Sequence, residues 1–164
     1  MALKRLVQIS CLVENLEKAK QIMTDEFGFS TWWGTEGMPP FDDYTINGEP
    51  AAYDNRIAFC EAFGLEWEFI EPKSGPLLTW LQLHGPGIHH LAFLQEESFQ
   101  EFDAKVKRIT RKDTWLRGQS KTLGMDYSFY DLTKEVGMFF EIYNNDQPHP
   151  LGFNMDARPD PPID

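Results

Sequence analysis

Two histidines stand side by side in "GPGIHHLAF", residues 85–93, between a glycine turn and an apolar run. Imidazole can move a proton near neutral pH and can ligate a divalent metal. An extended segment sends successive side chains to opposite faces, so His89 and His90 cannot serve one site together. His90 travels with Ile88 and Ala92, and His89 with Leu91 and Phe93. The second set is bulkier and suits the packed face of a sheet. His90 is then the histidine that looks into whatever space the other face encloses. An isolated histidine is more often a hydrogen-bonded core residue than a ligand, so chemistry at His90 requires partners brought from elsewhere in the chain.

The elements that could bring them form a repeat. "RLVQISCLV" alternates as a strand, and "NLEKAKQIMTDEF" sets Leu16, Ala19, Ile22, Met23 and Phe27 on one helical stripe behind an Asn15 cap. Gly28 ends that helix and "STWWG" reads as a short strand. Residues 35–52, with Pro39, Pro40, Asn47, Gly48 and Pro50, read as a long irregular loop. "NRIAFCEA" and "LEWEFIEP" are two further strands, which makes the order βαβββ. The second half repeats it. "GIHHLAF" is a strand, "SFQEFDAKVKRI" a helix with Phe99, Phe102, Val106 and Ile109 on one face behind a Ser98/Glu101 capping box. "DTWLRG", "MDYSFYDL" and "GMFFEIYNN" are three strands, with a charged turn "TKEVG" before the last.

The expected fold class is therefore α+β, two βαβββ modules in tandem forming a pseudo-twofold cupped β-sheet with the helices outside. Residues 1–145 make one domain: module one over 5–72, a connector helix over 74–85 with Pro76 in its first turn, and module two over 86–145. His84 is placed to cap the connector helix. Residues 146–164 are rich in proline and read as an extended tail, in which His149 has no catalytic role.

Superimposing the halves pairs Gln8 with His90 on the opening strands and Glu68 with Glu141 on the closing strands. If the modules pack with pseudo-twofold symmetry, these four side chains converge. One imidazole, two carboxylates and an amide oxygen make a shell for a divalent metal with room for water or a bidentate substrate. Taken singly, Glu68 and Glu141 are as well explained as solvated strand residues and Gln8 as an edge polar group. Their coincidence under the repeat is what favours a site.

Composition narrows the classes of function. With a formal charge of −11 and no basic run longer than two residues, the chain is unsuited to gripping nucleic-acid phosphates. No apolar run is long enough to cross a bilayer, and the start "MALKRLVQISCLV" lacks a clear cleavage site, so a cytoplasmic protein is expected, with no membrane partner. Cys11 and Cys60 lie in apolar strands outside any paired metal or redox spacing and read as reduced core residues. Trp32, Trp33, Phe41 and Tyr44 flank the long loop and could wall an acyl pocket or simply pack. Local cations that an anionic substrate could meet are Arg56, Lys73, Arg111, Arg117, Lys121 and Lys134.

The strand and helix order, the "EFIEP" strand end, the connector helix and "GPGIHHLAF" together resemble the vicinal oxygen chelate superfamily across roughly residues 5–145. In wording they resemble the methylmalonyl-CoA epimerases most closely. The resemblance implies metal ligands at Gln8, Glu68, His90 and Glu141, a divalent ion among Zn, Co, Ni, Mn and Mg, a small carbonyl or thioester substrate, and a homodimer as a candidate assembly. Those epimerases usually carry histidine where Gln8 stands. The order Gln, Glu, His, Glu is that of the zinc-using glyoxalase I branch, so the ligand set resembles one relative and the surrounding wording another. The epimerases' additional glutamate base has its nearest counterpart here in Glu61.

Both relatives remove a proton beside a metal-polarised carbonyl. The resemblance assigns that task to Glu141 first, with Glu68 serving the opposite face, and the function it implies is a metal-dependent epimerase or isomerase. Two alternatives stand beside it: a glyoxalase I-like lyase acting on a glutathione hemithioacetal, and a metal-free module that binds a small molecule, as in the antibiotic-resistance branch.

Overall fold

A computed structural model describes residues 3–34, 43–120 and 125–143. In chain order the elements are β1 (Leu3–Leu12), α1 (Leu16–Phe27), β2 (Trp32–Gly34), β3 (Asp43–Ile46), β4 (Glu49–Pro50), β5 (Asn55–Ala62), β6 (Leu65–Pro72), α2 (Pro76–His84), β7 (Gly87–Gln95), α3 (Phe99–Thr110), β8 (Leu116–Ser120), β9 (Met125–Leu132), α4 (Thr133–Val136) and β10 (Met138–Tyr143). The described residues fall into two compact units. One holds residues 8–34 and 53–89, the other residues 3–7, 43–52, 90–120 and 125–143.

In the first unit the strands run β2-β5-β6-β1. β1 and β6 are parallel, with Gln8 opposite Glu66 and Ser10 opposite Glu68. β5 pairs antiparallel with both β6 and β2. In the second unit the order β7-β10-β9-β8 repeats this plan: β7 and β10 are parallel, and the remaining pairs are antiparallel. The fold is α+β, and each unit contains a βαβββ run whose first strand pairs with its last.

The helices form where the local chemistry dictates. Asn15 Oδ1 accepts from Lys18 N at 2.8 Å at the start of α1, and Gly28 closes it in the left-handed conformation, φ 74°. A second cap comes from outside the helix: Leu16 N donates to Glu71 Oε2 at 3.0 Å, and Arg56 joins Glu71 to Glu17. The Ser98/Glu101 capping box opens α3 with both reciprocal bonds made. His84 sits in the last turn of α2 and stacks on Trp80 at 3.8 Å between ring centres.

Under α1 the core is Leu16, Phe29, Ala58, Cys60 and Phe69, and under α3 it is Phe99, Phe102, Val106, Tyr130 and Ile142. Three expectations need correction here. Ile22 and Phe27 are 44% and 62% exposed rather than packed, and Ile109, though it lines an apolar pocket with Phe102 and Val106, is 60% exposed. In α1 the reason is Phe29, two residues past the helix end, which stacks with Trp32 and meets Trp67 and Phe69 edge-on, filling the space Phe27 would take. Residues 43–50 are not irregular. Asn47 and Gly48 both take positive φ, 51° and 83°, as a two-residue hairpin turn requires, and join β3 to β4. β3 then pairs antiparallel with β8, extending the second unit. The charged segment after β9 is the single-turn helix α4, closed by Gly137 at φ 81°. Residue Phe41, Lys121 and the tail 146–164 with His149 lie outside the described residues.

Candidate functional site

The strand registers place the two modules' polar side chains at matching positions. In β1 and β6, Gln8 is opposite Glu66, and two residues on Ser10 is opposite Glu68. In β7 and β10, His90 is opposite Phe139, and two residues on Ala92 is opposite Glu141. Gln8 thus corresponds to His90 and Glu68 to Glu141. The next strands agree, because Glu68 faces Phe59 and Glu141 faces Phe129 across antiparallel pairs. Side chains opposite one another in a ladder share a face. Each module therefore carries a row of ligand-type groups backed by a buried phenylalanine, on the face turned away from its helix.

In the second unit His90 Nε2 lies 3.1 Å from Glu141 Oε2, and both residues are buried, at 0% and 3% exposure. The His90 ring also rests against Phe129, 4.5 Å between centres. In the first unit the same geometry is modified. Gln8 Nε2 donates to Glu66 Oε1 at 2.6 Å, with both residues at 0% exposure. Glu68 is buried beside fully buried Ser10. His89, the other member of the histidine pair, meets Trp80 of α2 edge-on at 5.6 Å. Both histidines are buried, and alternation has sent them to different surroundings: one to an indole, the other to a carboxylate.

Glu68 leaves an electrostatic signature on its neighbour Cys11. Burial first, and then the Glu68 charge, pushes the Cys11 thiol up to about 11. Burial likewise raises the Cys60 thiol, whose Sγ donates to Ser30 O at 2.9 Å. Neither thiol is poised for nucleophilic work.

As metal ligands, an imidazole nitrogen, carboxylate oxygens and an amide oxygen suit a divalent ion in kind. Among the described residues no three His, Cys, Asp or Glu side chains form one cluster. The candidate donors are the His90–Glu141 pair in one unit and Gln8 with Glu68 in the other. The cations considered for an anionic substrate are mostly engaged. Arg56 and Lys73 bind Glu71, and Arg117 lies over the Phe99 ring at 5.2 Å. Arg111 caps α3, and both it and Lys134 are exposed. Trp32 packs in the aromatic cluster and donates to Thr24 Oγ1, whereas Trp33 stacks on Phe59, on the face that carries Glu68.

Glu66 is the residue that the sequence reading missed. Its signal was present, since Glu66 and Glu68 are two apart in one strand and so share a face.

The sequence profile of the glyoxalase/bleomycin resistance protein/dioxygenase superfamily matches residues 7–129. The chain belongs to that superfamily. Among solved structures it is similar to a hypothetical protein of Bacillus halodurans, with a TM-score of 0.62 and 22% identity over 85% of this chain and 92% of that one. It is also similar to a Streptomyces coelicolor methylmalonyl-CoA epimerase variant in complex with 2-nitronate-propionyl-CoA, TM-score 0.58, 18% identity, covering 87% of this chain and 94% of that one. A Mycobacterium tuberculosis methylmalonyl-CoA epimerase follows at TM-score 0.56 and 15% identity, covering 86% and 87%. At these identities the likeness is one of fold. No curated protein matches the chain. No helix among the described residues is long and apolar enough to cross a membrane.

Proposed function

We propose that this superfamily member is a metal-dependent epimerase or isomerase that removes a proton alpha to a carbonyl, with an acyl-CoA or similar thioester as substrate. The observation that carries the reading is the buried His90–Glu141 contact at 3.1 Å, matched in strand register by Gln8 and Glu68 in the other module. Methylmalonyl-CoA epimerases among the similar folds support the substrate class.

In this proposal the residues that would hold the divalent ion are Gln8, Glu68, His90 and Glu141. When bound, the ion supplies the Lewis acidity that lets a weakly acidic carbon lose its proton near neutral pH. The chain's own residues do the rest. Glu141 takes the proton at a carboxylate oxygen, with His90 Nε2 3.1 Å from it. Glu68, its counterpart in the repeat, would begin protonated and give that proton to the other face of the carbon, leaving Glu141 protonated and Glu68 ionised until proton exchange with water resets the pair. General-base help of this kind is worth roughly 10²- to 10⁴-fold. Phe59 and Phe129, buried behind the two carboxylates, keep water from their flanks.

A second reading, a glyoxalase I-like lyase, is favoured by one feature, the amide at Gln8 in place of a second imidazole. The two share the proton transfer and differ in substrate. Metal analysis of protein purified without chelator, followed by parallel assays on 2-methylmalonyl-CoA and on a glutathione hemithioacetal, separates them. Inversion at the thioester's α-carbon supports the epimerase, and turnover of the hemithioacetal alone replaces it with the lyase. Protein that carries no metal and turns over neither substrate defeats both and leaves a binding module.

A further inference from the structure

We infer that Glu66 is a positioning residue for Gln8: it takes the nitrogen end of the Gln8 amide and so presents the oxygen end as a ligand atom. This rests on the proposed role of Gln8 at the metal. The two side chains are opposite one another in the parallel β1·β6 ladder, so the backbone register itself brings them together. Gln8 Nε2 donates to Glu66 Oε1 at 2.6 Å, a short hydrogen bond between two fully buried residues.

The chemistry explains why a carboxylate should stand there. A primary amide has two ends of nearly the same shape, and only the carbonyl oxygen has a lone pair suited to a cation, since the NH₂ group is a donor alone. A half-turn about the last bond of the side chain exchanges them. The Glu66 oxygen that meets Gln8 is an acceptor, so after that half-turn the Gln8 oxygen would face it, two acceptors in a buried place. Glu66 thereby selects the amide orientation that a metal requires.

The internal repeat acts as a control. His90 holds the place of Gln8 in the second module, and opposite it stands Phe139. The module whose opening-strand ligand is an amide is the one that carries a carboxylate across from it. Glu61, opposite Glu66 on β5, is exposed and contributes no comparable restraint.

The test is a double-mutant cycle read by calorimetric titration with zinc, with a metal-free readout beside it. Glu66→Gln keeps the size of the side chain but offers both a donor and an acceptor, so it no longer dictates which end of Gln8 it meets. In the wild-type background it should weaken zinc binding by about 10- to 100-fold, the usual effect of losing a residue that orients a ligand. In a Gln8→Ala background, where no side chain at position 8 needs orienting, the same change should cost less than about threefold. In metal-free protein, nitrogen-15 NMR should show the Gln8 NH₂ protected from solvent exchange, with that protection lost in Glu66→Leu. Equal losses of zinc affinity in the two backgrounds, or an unprotected Gln8 amide in zinc-binding wild type, overturn the inference alone. Wild type that binds no zinc overturns the metal reading of Gln8 and the inference with it.

Discussion

Truncating each histidine of the pair in turn separates packing from ligation. His89 and His90 are 1% and 0% exposed, so either change to alanine leaves a void of similar size: His89 loses an edge contact with Trp80, His90 a contact with Phe129. Large-to-small changes at such sites cost about 2–5 kcal/mol. At the lower end, about 2 kcal/mol lowers the melting temperature of a domain this size by roughly 4–8 °C, and both variants still fold. Metal affinity should part them. His90→Ala removes the imidazole proposed as a ligand and should weaken zinc binding by at least about 100-fold, which is about 2.7 kcal/mol or more. His89→Ala removes none and should shift affinity by less than about threefold. Calorimetric titration of the two proteins, with melting curves to show matched folding, gives the comparison. Equal losses of affinity, or the larger loss in His89→Ala, would refute the assignment of His90 to the site.

Other consequences follow from the packing and the charges. Phe29→Ala should cost about 3–5 kcal/mol in urea unfolding, because it empties the centre of the aromatic cluster under α1; a loss below about 1 kcal/mol would show that Phe29 is not the core residue. Glu71 is pushed up by burial, but bonds from Lys73 and from Leu16 N outweigh this and hold its carboxyl below the ordinary 4.5. Its stabilising contribution is therefore complete above that value and is lost as the pH falls through the depressed one. The stability gap between wild type and Glu71→Gln should narrow on acidification below 4.5, and a gap independent of pH would remove Glu71 from the cap of α1. A methyl group on Gly118 would come within 2.3 Å of the Tyr127 ring. Gly118→Ala should accordingly destabilise by about 1–3 kcal/mol and should be relieved in a Tyr127→Ala background; no relief would mean the strain lies elsewhere. With its thiol near 11, Cys11 has about one thiolate in a thousand molecules at pH ~8 and should alkylate slowly in a Cys60→Ala protein. Glu68→Gln should speed that reaction, and an unchanged rate would argue that Glu68 does not act on Cys11.

The duplicated order of elements was legible because its signals are local. Asn15, Gly28 and the Ser98/Glu101 pair mark helix ends by bonds within a few residues, and alternation marks the strands. The correspondence of Gln8 with His90 and Glu68 with Glu141 was also legible, since it needs only the repeat and the register, and the strand ladders carry it. What escaped depends on distant chain or on differences between the modules. The pairing of β3 with β8 joins residues far apart, and although Asn47-Gly48 announces a hairpin, nothing local names its neighbour. Phe29 displaces Phe27 from the core because the chain turns at Gly28, which a helical stripe does not register. Superimposing the halves keeps what they share, so Glu66, with Phe139 in its place in module two, was hidden by the comparison that revealed Glu68. The bulky set Leu91 and Phe93 is only half-buried, whereas Ala92 and Leu94 on the His90 face are buried. Size alone did not decide which face of β7 is packed more tightly.

The central claim is proton transfer by Glu141 beside a bound metal, and exchange of the α-proton tests it most directly. Metal-loaded wild type, incubated in D₂O with 2-methylmalonyl-CoA, should incorporate deuterium at the α-carbon. Glu141→Gln, which keeps an oxygen to offer the metal, should slow incorporation by about 10²- to 10⁴-fold while retaining its metal. Exchange at the wild-type rate in metal-loaded Glu141→Gln, or none in metal-loaded wild type, would contradict the account.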